Sequence, residues 1–206
     1  MTPTDICNMA LSRLGEPRIS DIDENTPRAI SCRAHFDVVR DSLLRSHPWN
    51  FAVSRALLTQ SATAPVFGFD FAYALPSDFL RLMTLNGIQA DMCVSDFTLE
   101  SGQLLTYADE AKITYVRRVI DPTAYDPIFL EVLAFRLASA VAMDVTSDIE
   151  RRNSMEQLAA LRLAAATFTD SGENRARIAP TTQGLTYRMR GLPDQFINPP
   201  FPPFEP

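Results

Sequence analysis

The spacing of apolar and polar positions changes three times along the chain. Over residues 4 to 14, Ile6, Ala10 and Leu14 recur every four residues with Cys7 and Leu11 beside them, which predicts a short helix. Thr4 is placed to cap its start and Gly15 its end, with Pro17 just beyond. A polar loop, EPRISDIDENT, follows. Residues 27 to 46 predict a longer helix. Ala29, Cys32, Phe36, Val39 and Leu43 are spaced three and four alternately, so they share one stripe. Thr26 serves as N-cap and Pro27 takes the first helical position, where a missing N–H costs nothing. On the polar side, Arg33 with Asp37 and Asp41 with Arg45 form expected i,i+4 pairs, each worth about 0.3 kcal/mol.

Pro48 then disfavours helix at His47 and cannot extend the ladder itself. Trp49, the sole tryptophan, follows, with Phe51 two residues on; this Pro48–Trp49–Phe51 stretch is the expected junction between a helical part and a sheet. From Trp49 to Val119 the pattern is that of strands. NFAVSRALLTQ alternates in part, and FGFDFAYALP puts Phe67, Phe69, Phe71 and Tyr73 on one side by the period of two. FTLESGQLLTY holds a Ser-Gly turn between two short runs, a hairpin signal, and KITYVRRV reads as a further strand.

Helix returns at residues 127 to 145, capped by Asp126 and opened by Pro127. PIFLEVLAFRLASAVAM is apolar almost all round, which predicts burial on most sides, and Ala134, Ala138 and Ala142 permit close approach by a neighbour. Ser147 with Glu150 has the form of a capping box for a fourth helix, whose expected inward stripe is Leu158, Leu161, Ala165 and Phe168. The fold class is thus α+β. Residues 1–48 and 120–170 form a four-helix bundle, residues 49–119 a small inserted antiparallel β region, and residues 171–206 an extended C-terminal arm.

The arm has no lasting period. INPPFPPFEP can neither donate enough backbone hydrogen bonds for a sheet nor continue a helix, so an extended, polyproline-like conformation is expected. Yet it carries Tyr187, Phe196, Phe201 and Phe204, together with Arg175, Arg177, Arg188 and Arg190, on an otherwise acidic chain. Two readings stay open: the arm wraps its own body, or it docks on a neighbouring chain. The aromatic anchors and arginines favour the second.

Charge and chemistry narrow the function. Net charge is -6, which disfavours tight nucleic-acid binding. Lys112 is the sole lysine, and the remaining basic residues are arginines, suited to planar, bidentate interface pairs. No apolar run is long enough to cross a bilayer, and the N-terminus lacks a basic region followed by an apolar core, so a soluble cytoplasmic protein is expected. Cys7, Cys32 and Cys93 match no zinc or redox spacing, and Cys7 and Cys32 fall on apolar helix faces as small hydrophobes. His35 and His47 stand twelve residues apart, which is not a helical metal pair, and the sequence shows no partner that would make either a base. Asp21, Asp23 and Glu24 lack EF-hand spacing and read as solvated loop acids. GxSxG, P-loop and GxGxxG motifs are absent. No catalytic, metal or cofactor residue is therefore expected.

Three runs carry a resemblance. ICNMALSRLGEPRISDIDENTPRA, then RDSLLRSHPWNFAVSRALL, then YALPSDFLRL resemble, in that order, the tail tubular protein A family of short-tailed bacteriophages. The resemblance covers roughly residues 5 to 168, and its most specific pieces are Arg40 to Ala52 and Tyr73 to Arg81. It implies a virion structural protein, the head-to-tail adaptor, forming a closed ring of about twelve copies between the dodecameric portal and the tail nozzle. The implied partners are copies of itself, the portal, a nozzle protein like tail tubular protein B, and passing genomic DNA without specific binding; no membrane and no cofactor is implied. The implied location is the virion, after assembly in the host cytoplasm. An acidic subunit facing the channel would let DNA slide. The PxFPPF ending matches no motif of the family. Competing readings are a tail-associated peptidoglycan hydrolase, because any acidic protein offers carboxylate pairs, and a non-phage oligomeric binding module.

Overall fold

A computed structural model describes residues 1–91 and 96–173. Met1–Ser171 form one compact unit; Gly172–Pro206 form a second, of which Gly172 and Glu173 are described as the end of a helix. The molecule is α+β, with four helices and two antiparallel sheets among the described residues.

Helix α1 spans Pro3–Arg13. Its cap is Thr2 and not Thr4, because Pro3 takes the first helical position. Asp5 then completes a reciprocal capping box, with Thr2 N–H donating to Asp5 at 2.8 Å and Asp5 N–H to the Thr2 hydroxyl at 3.2 Å. The hydroxyl of Thr4 instead accepts from Ile22 N–H across the following loop. Asn8 clamps the same loop by bonding both backbone groups of Ile19.

Helix α2 runs Pro27–Ser46, with Thr26 accepting from Ala29 N–H. Ala29, Cys32, Phe36 and Leu43 are buried as the stripe predicts, and Val39 is partly buried. The expected i,i+4 pairs do not form. Arg33 reaches back to Asp23 at 3.5 Å, Asp37 and Asp41 both bind Arg40, and Arg45 donates to the Leu80 carbonyl. Arg33 and Arg45 go to partners outside the helix, and Asp37 and Asp41 to Arg40 within it; each alternative wins easily because an exposed i,i+4 pair is worth so little.

After a 3-10 turn at Asn50–Ala52, strand β1 covers Val53–Leu57. It is followed by β2 (Phe71–Ala74), β3 (Phe79–Leu85), β4 (Ile88–Gln89), β5 (Phe97–Glu100), β6 (Gln103–Thr106) and β7 (Lys112–Arg117). One sheet has the order β1-β7-β3-β4 and the other β2-β6-β5. The chain enters the larger sheet by β1 and leaves it by the neighbouring β7, paired from Val53↔Val116 to Leu57↔Lys112. That pairing returns the chain to the helices beside its point of departure.

The Ser101–Gly102 hairpin forms, both residues at positive φ, as a two-residue turn of matching twist requires. The period-two reading of Phe67 to Tyr73 is corrected. The strand begins only at Phe71; Tyr73 is buried, while Phe67 lies in the preceding loop, 87% exposed. Gly68, at φ +89, falls between Phe67 and Phe69 and breaks the alternation. In β3, register shifts fall between Phe79 and Arg81 and between Leu82 and Thr84. They explain how Leu80 joins the helical core while Leu82, two residues on, joins the core between the sheets.

Helix α3 spans Pro127–Thr146, with Asp126 accepting from Ile128 N–H. Ten of its twenty residues are buried, Ala134, Ala138 and Ala142 among them. Ser147 is not the cap of the next helix. It adopts the left-handed conformation that closes α3, and Asp148 accepts from the N–H groups of Glu150 and Arg151 instead. Helix α4 is Ile149–Glu173. Its inward residues are Ala159 and Ala166, supported by Met155 and Leu163. The expected inward stripe is turned outward: Leu161 is 69% and Phe168 79% exposed, with Leu158 and Ala165 also exposed.

Candidate functional site

The helical core and the larger sheet meet at residues 40 to 52, where several side-chain hydrogen bonds between distant parts of the chain collect. Pro48 ends the helical ladder, and His47 caps α2 in an extended conformation. Trp49 is buried, donating its indole N–H to the Leu43 carbonyl at 3.1 Å. Its ring meets His47 and Phe129 edge-on, at 5.0 and 5.1 Å between centroids. Phe51 adds a ring 5.0 Å from Phe129 and 5.8 Å from Tyr125. The edge-to-face pairs, Trp49 with His47 and Phe129 and Phe51 with Phe129, favour the ring quadrupoles beyond simple burial. The Tyr125 hydroxyl donates to the Val119 carbonyl at 2.8 Å, and burial pushes its pKa up to about 12.

The runs Arg40–Ala52 and Tyr73–Arg81 interlock at this seam. Arg45 from α2 donates to the Leu80 carbonyl, and Arg81 from β3 donates to the Arg45 carbonyl at 3.1 Å. Arg81 thereby supplies a cation and a donor to the orphan carbonyls at the end of α2. Asp41 bridges Arg40, at 2.8 Å, and Arg118 just past β7, at 2.7 Å. Burial works to lower the Arg40 pKa, but the hydrogen bond and charge of Asp41, with the charge of Asp37, outweigh it and the net shift is upward.

Each histidine has an acidic partner that the sequence could not show, since the pairs span more than a hundred residues. His35 Nε2 lies 3.3 Å from Asp144, and His47 Nε2 lies 2.9 Å from Asp170. Asp170 also accepts from Asn50 N–H at 3.1 Å, which ties the end of α4 to the seam. A carboxylate that orients an imidazole is half of a catalytic triad. Among the described residues no hydroxyl or thiol bonds the other ring nitrogen of either histidine. Ser31 donates to Asp144 at 2.6 Å, not to His35.

The Ser31 bond holds the Asp144 carboxyl below its usual range; burial opposes this and His35 adds to it. A depressed folded pKa adds stability that is complete above the unfolded value, near pH ~4, and fades as pH falls through the lower folded value. Ser31→Ala is therefore expected to be less stable than wild type above about pH 4, with the two urea midpoints converging at lower pH. A gap independent of pH between 2.5 and 6 would show that the Ser31 bond acts without the Asp144 charge.

The remaining sequence candidates are structural neighbours of loops and core. Glu24 accepts from Thr26 and from Ser20 N–H, which lowers its pKa in that order of effect, and Asp21 accepts from Asp23 N–H. Among the described residues no cluster of three His, Cys, Asp or Glu side chains is placed to hold a metal. Cys7 and Cys32 are fully buried; hydrogen bonding between them and burial push the Cys7 thiol up, away from thiolate reactivity. Cys93 and the arm residues Arg175, Arg177, Tyr187, Arg188, Arg190, Phe196, Phe201 and Phe204 lie outside the described residues. No described helix is long and apolar enough to cross a membrane.

Two exposed surfaces remain. An open groove of about 500 Å³ runs between α2, α3 and α4, lined by Val38, Ser42, Met143, Arg152 and Leu163. At the smaller sheet, the loop before β2 exposes Val66 at 96% and Phe67 at 87%, braced by Phe69 against Tyr107 at 4.9 Å. Residues 58–74 and 90–111 carry Asp70, Asp91, Asp96, Glu100, Asp109 and Glu110 and no lysine or arginine. The sequence pattern had assigned Phe67 to a strand face and so missed this tip; the signal was Gly68 between the two phenylalanines. In comparisons with protein-family models and with curated proteins, the chain matches none.

Proposed function

We propose that this chain is a virion structural subunit, a head-to-tail adaptor of the tail tubular protein A type, and that it works without catalysis. Copies form a ring of about twelve between portal and nozzle. The observation that supports this best is the seam. Two separated runs that carry the resemblance, Arg40–Ala52 and Tyr73–Arg81, hold each other through Arg45 and Arg81. Such a seam makes one stiff body from helices and sheet, as a subunit transmitting force along a tail requires.

The finer architecture is part of the same proposal. The helices act as a four-helix bundle that meets the portal, the β region at 49–119 faces the nozzle, and the arm from 171 onward grips a neighbour through its aromatics and arginines. The acidic end with Val66 and Phe67 at its tip suits an apolar cleft with a basic rim on the nozzle. Its one-signed charge repels DNA, so passing genome slides instead of sticking. The proposed setting is the virion, reached from the host cytoplasm.

The test is the mass of the full-length chain bound to purified portal. The expected result is a closed ring of fixed copy number, lost when residues 174–206 are removed while the truncated chain still melts cooperatively. A chain that never joins the portal, and that clears bacterial cell walls, overturns the adaptor reading in favour of a hydrolase.

A further inference from the structure

We propose that the exposed apolar ridge of α4 seats in the α2–α3 groove of a second copy of this chain, head to tail. The proposal deepens the ring reading and rests on it for its biological setting. Its evidence is the surface of the helical part alone.

Helix α4 buries only Ala159 and Ala166 fully, although it is 25 residues long. Helix length at this scale is normally supported by an apolar face packed on a core. Met155 and Leu163 pack partly on the core, whereas Leu158, Leu161 and Phe168 lie on the side turned away from it. With Ala165 they are spaced three, four and three, so they form one continuous ridge. At 1.5 Å per residue the ridge is about 15 Å long.

The groove is the matching feature. Val38 is 69% and Met143 40% exposed in it, with Ala140 and Leu163 between them and Ser42 and Ser46 along one wall. From Val38 to Ser46 it follows α2 for about 12 Å. Leu163, Arg152 and Glu156 of α4 line the groove, while the ridge lies on the opposite flank of the same helix. A single copy therefore cannot fill its own groove with its own ridge.

Charge matches as well. Among the described residues the guanidinium of Arg152, at the groove edge, and the carboxylate of Glu150 have no ion-pair partner. Glu150 lies eleven residues before Leu161 and eighteen before Phe168, the helical repeats that put it on the ridge line. A neighbour seated on the ridge brings its Arg152 towards this Glu150. Ridge against ridge would instead leave both grooves open and give neither Arg152 nor Glu150 a partner.

A ridge and a groove on different faces make a contact that repeats, which closes into a ring or runs on as a filament. Phe168 contributes about 150–200 Å² at most. The whole ridge falls short of the roughly 800 Å² per partner found in stable pairs. One contact is therefore weak, and closure, which holds each copy at two faces, is what makes it last.

The experiment is sedimentation velocity of the full chain from micromolar to millimolar concentration. The ridge variant is Leu161→Asp with Phe168→Asp; the groove variant is Val38→Asp, at a side chain exposed enough to leave the fold intact. Wild type is expected to self-associate reversibly. Each variant alone should lose association by about tenfold or more, with an unchanged melting temperature. Mixed in equal amounts, the two variants should give a dimer and nothing larger, because one intact ridge meets one intact groove. A groove variant that dimerises by itself, a wild type that stays monomeric at millimolar concentration, or variants that associate like wild type would each overturn the proposal. If both variants still form complete rings on the portal, the ring stands and this assignment of its faces falls.

Discussion

Replacing Trp49 with alanine is expected to lower stability by about 3–5 kcal/mol, the range for deleting a fully buried large aromatic. Trp49 is 1% exposed, and its ring meets His47 at the end of α2 and Phe129 of α3. The truncation removes those ring contacts, leaves a cavity, and strips the Leu43 carbonyl of its indole donor near the end of α2. For a chain of this size, thermal melting followed by circular dichroism should drop by about 10 °C. Trp49→Phe keeps much of the volume and loses the donor, so it should fall between. Because Trp49 is the sole tryptophan, wild-type fluorescence reports the opening of this seam directly. A loss under about 1 kcal/mol for the alanine variant would mean that Phe51, Tyr125 and Phe129 close the gap without it.

Asp41→Ala is expected to cost about 3 kcal/mol, at the lower end for breaking a buried ion pair. Arg40 is almost wholly buried, and Asp41 is the better shielded of its two carboxylates, since the Asp37 side chain is 75% exposed. Removing Asp41 leaves a desolvated guanidinium with an outlying partner, and it also unties Arg118 from α2. The sharper comparison is Arg40→Met. An apolar chain of similar volume removes the buried charge together with the need to pair it, so the cost should be near zero. Urea denaturation of both variants checks the order. If Arg40→Met proved the more damaging, the guanidinium would be stabilising the fold in its own right, through Asp37 and by holding Asp41 in place for Arg118.

The helix starts were legible because each is written within four residues. Thr26–Pro27 and Asp126–Pro127 combine an oxygen acceptor with a fixed φ and no wasted donor. Where the same logic failed, a nearer competitor of the same kind stood beside the expected one: Thr2 before Pro3, and Asp148 after Ser147. The Ser101–Gly102 turn was read correctly. The Asn86–Gly87 turn between β3 and β4, both residues at positive φ, carries an equally strong signal. The histidine partners were not legible at all. Asp144 and Asp170 are ordinary acids in the sequence, and only the packing of α3 and α4 brings them to His35 and His47.

Helix α4 shows the limit most plainly. Its larger apolar side chains formed a regular stripe, and size alone suggested that they faced inward. In the structure α4 approaches the core through Ala159 and Ala166 with Met155 and Leu163, and the stripe of Leu158, Leu161, Ala165 and Phe168 is left outside. Periodicity states which residues share a face but not what lies opposite that face. The sequence by itself determined where α2 and α3 begin, that Pro48 ends α2, and that the chain is α+β, because caps, proline and tight turns act over a few bonds. Tertiary structure decided that β1 lies beside β7, which acids meet the histidines, and which side of α4 is buried. Those outcomes depend on surfaces brought together from distant parts of the chain, and their free energies appear only once both surfaces are in place.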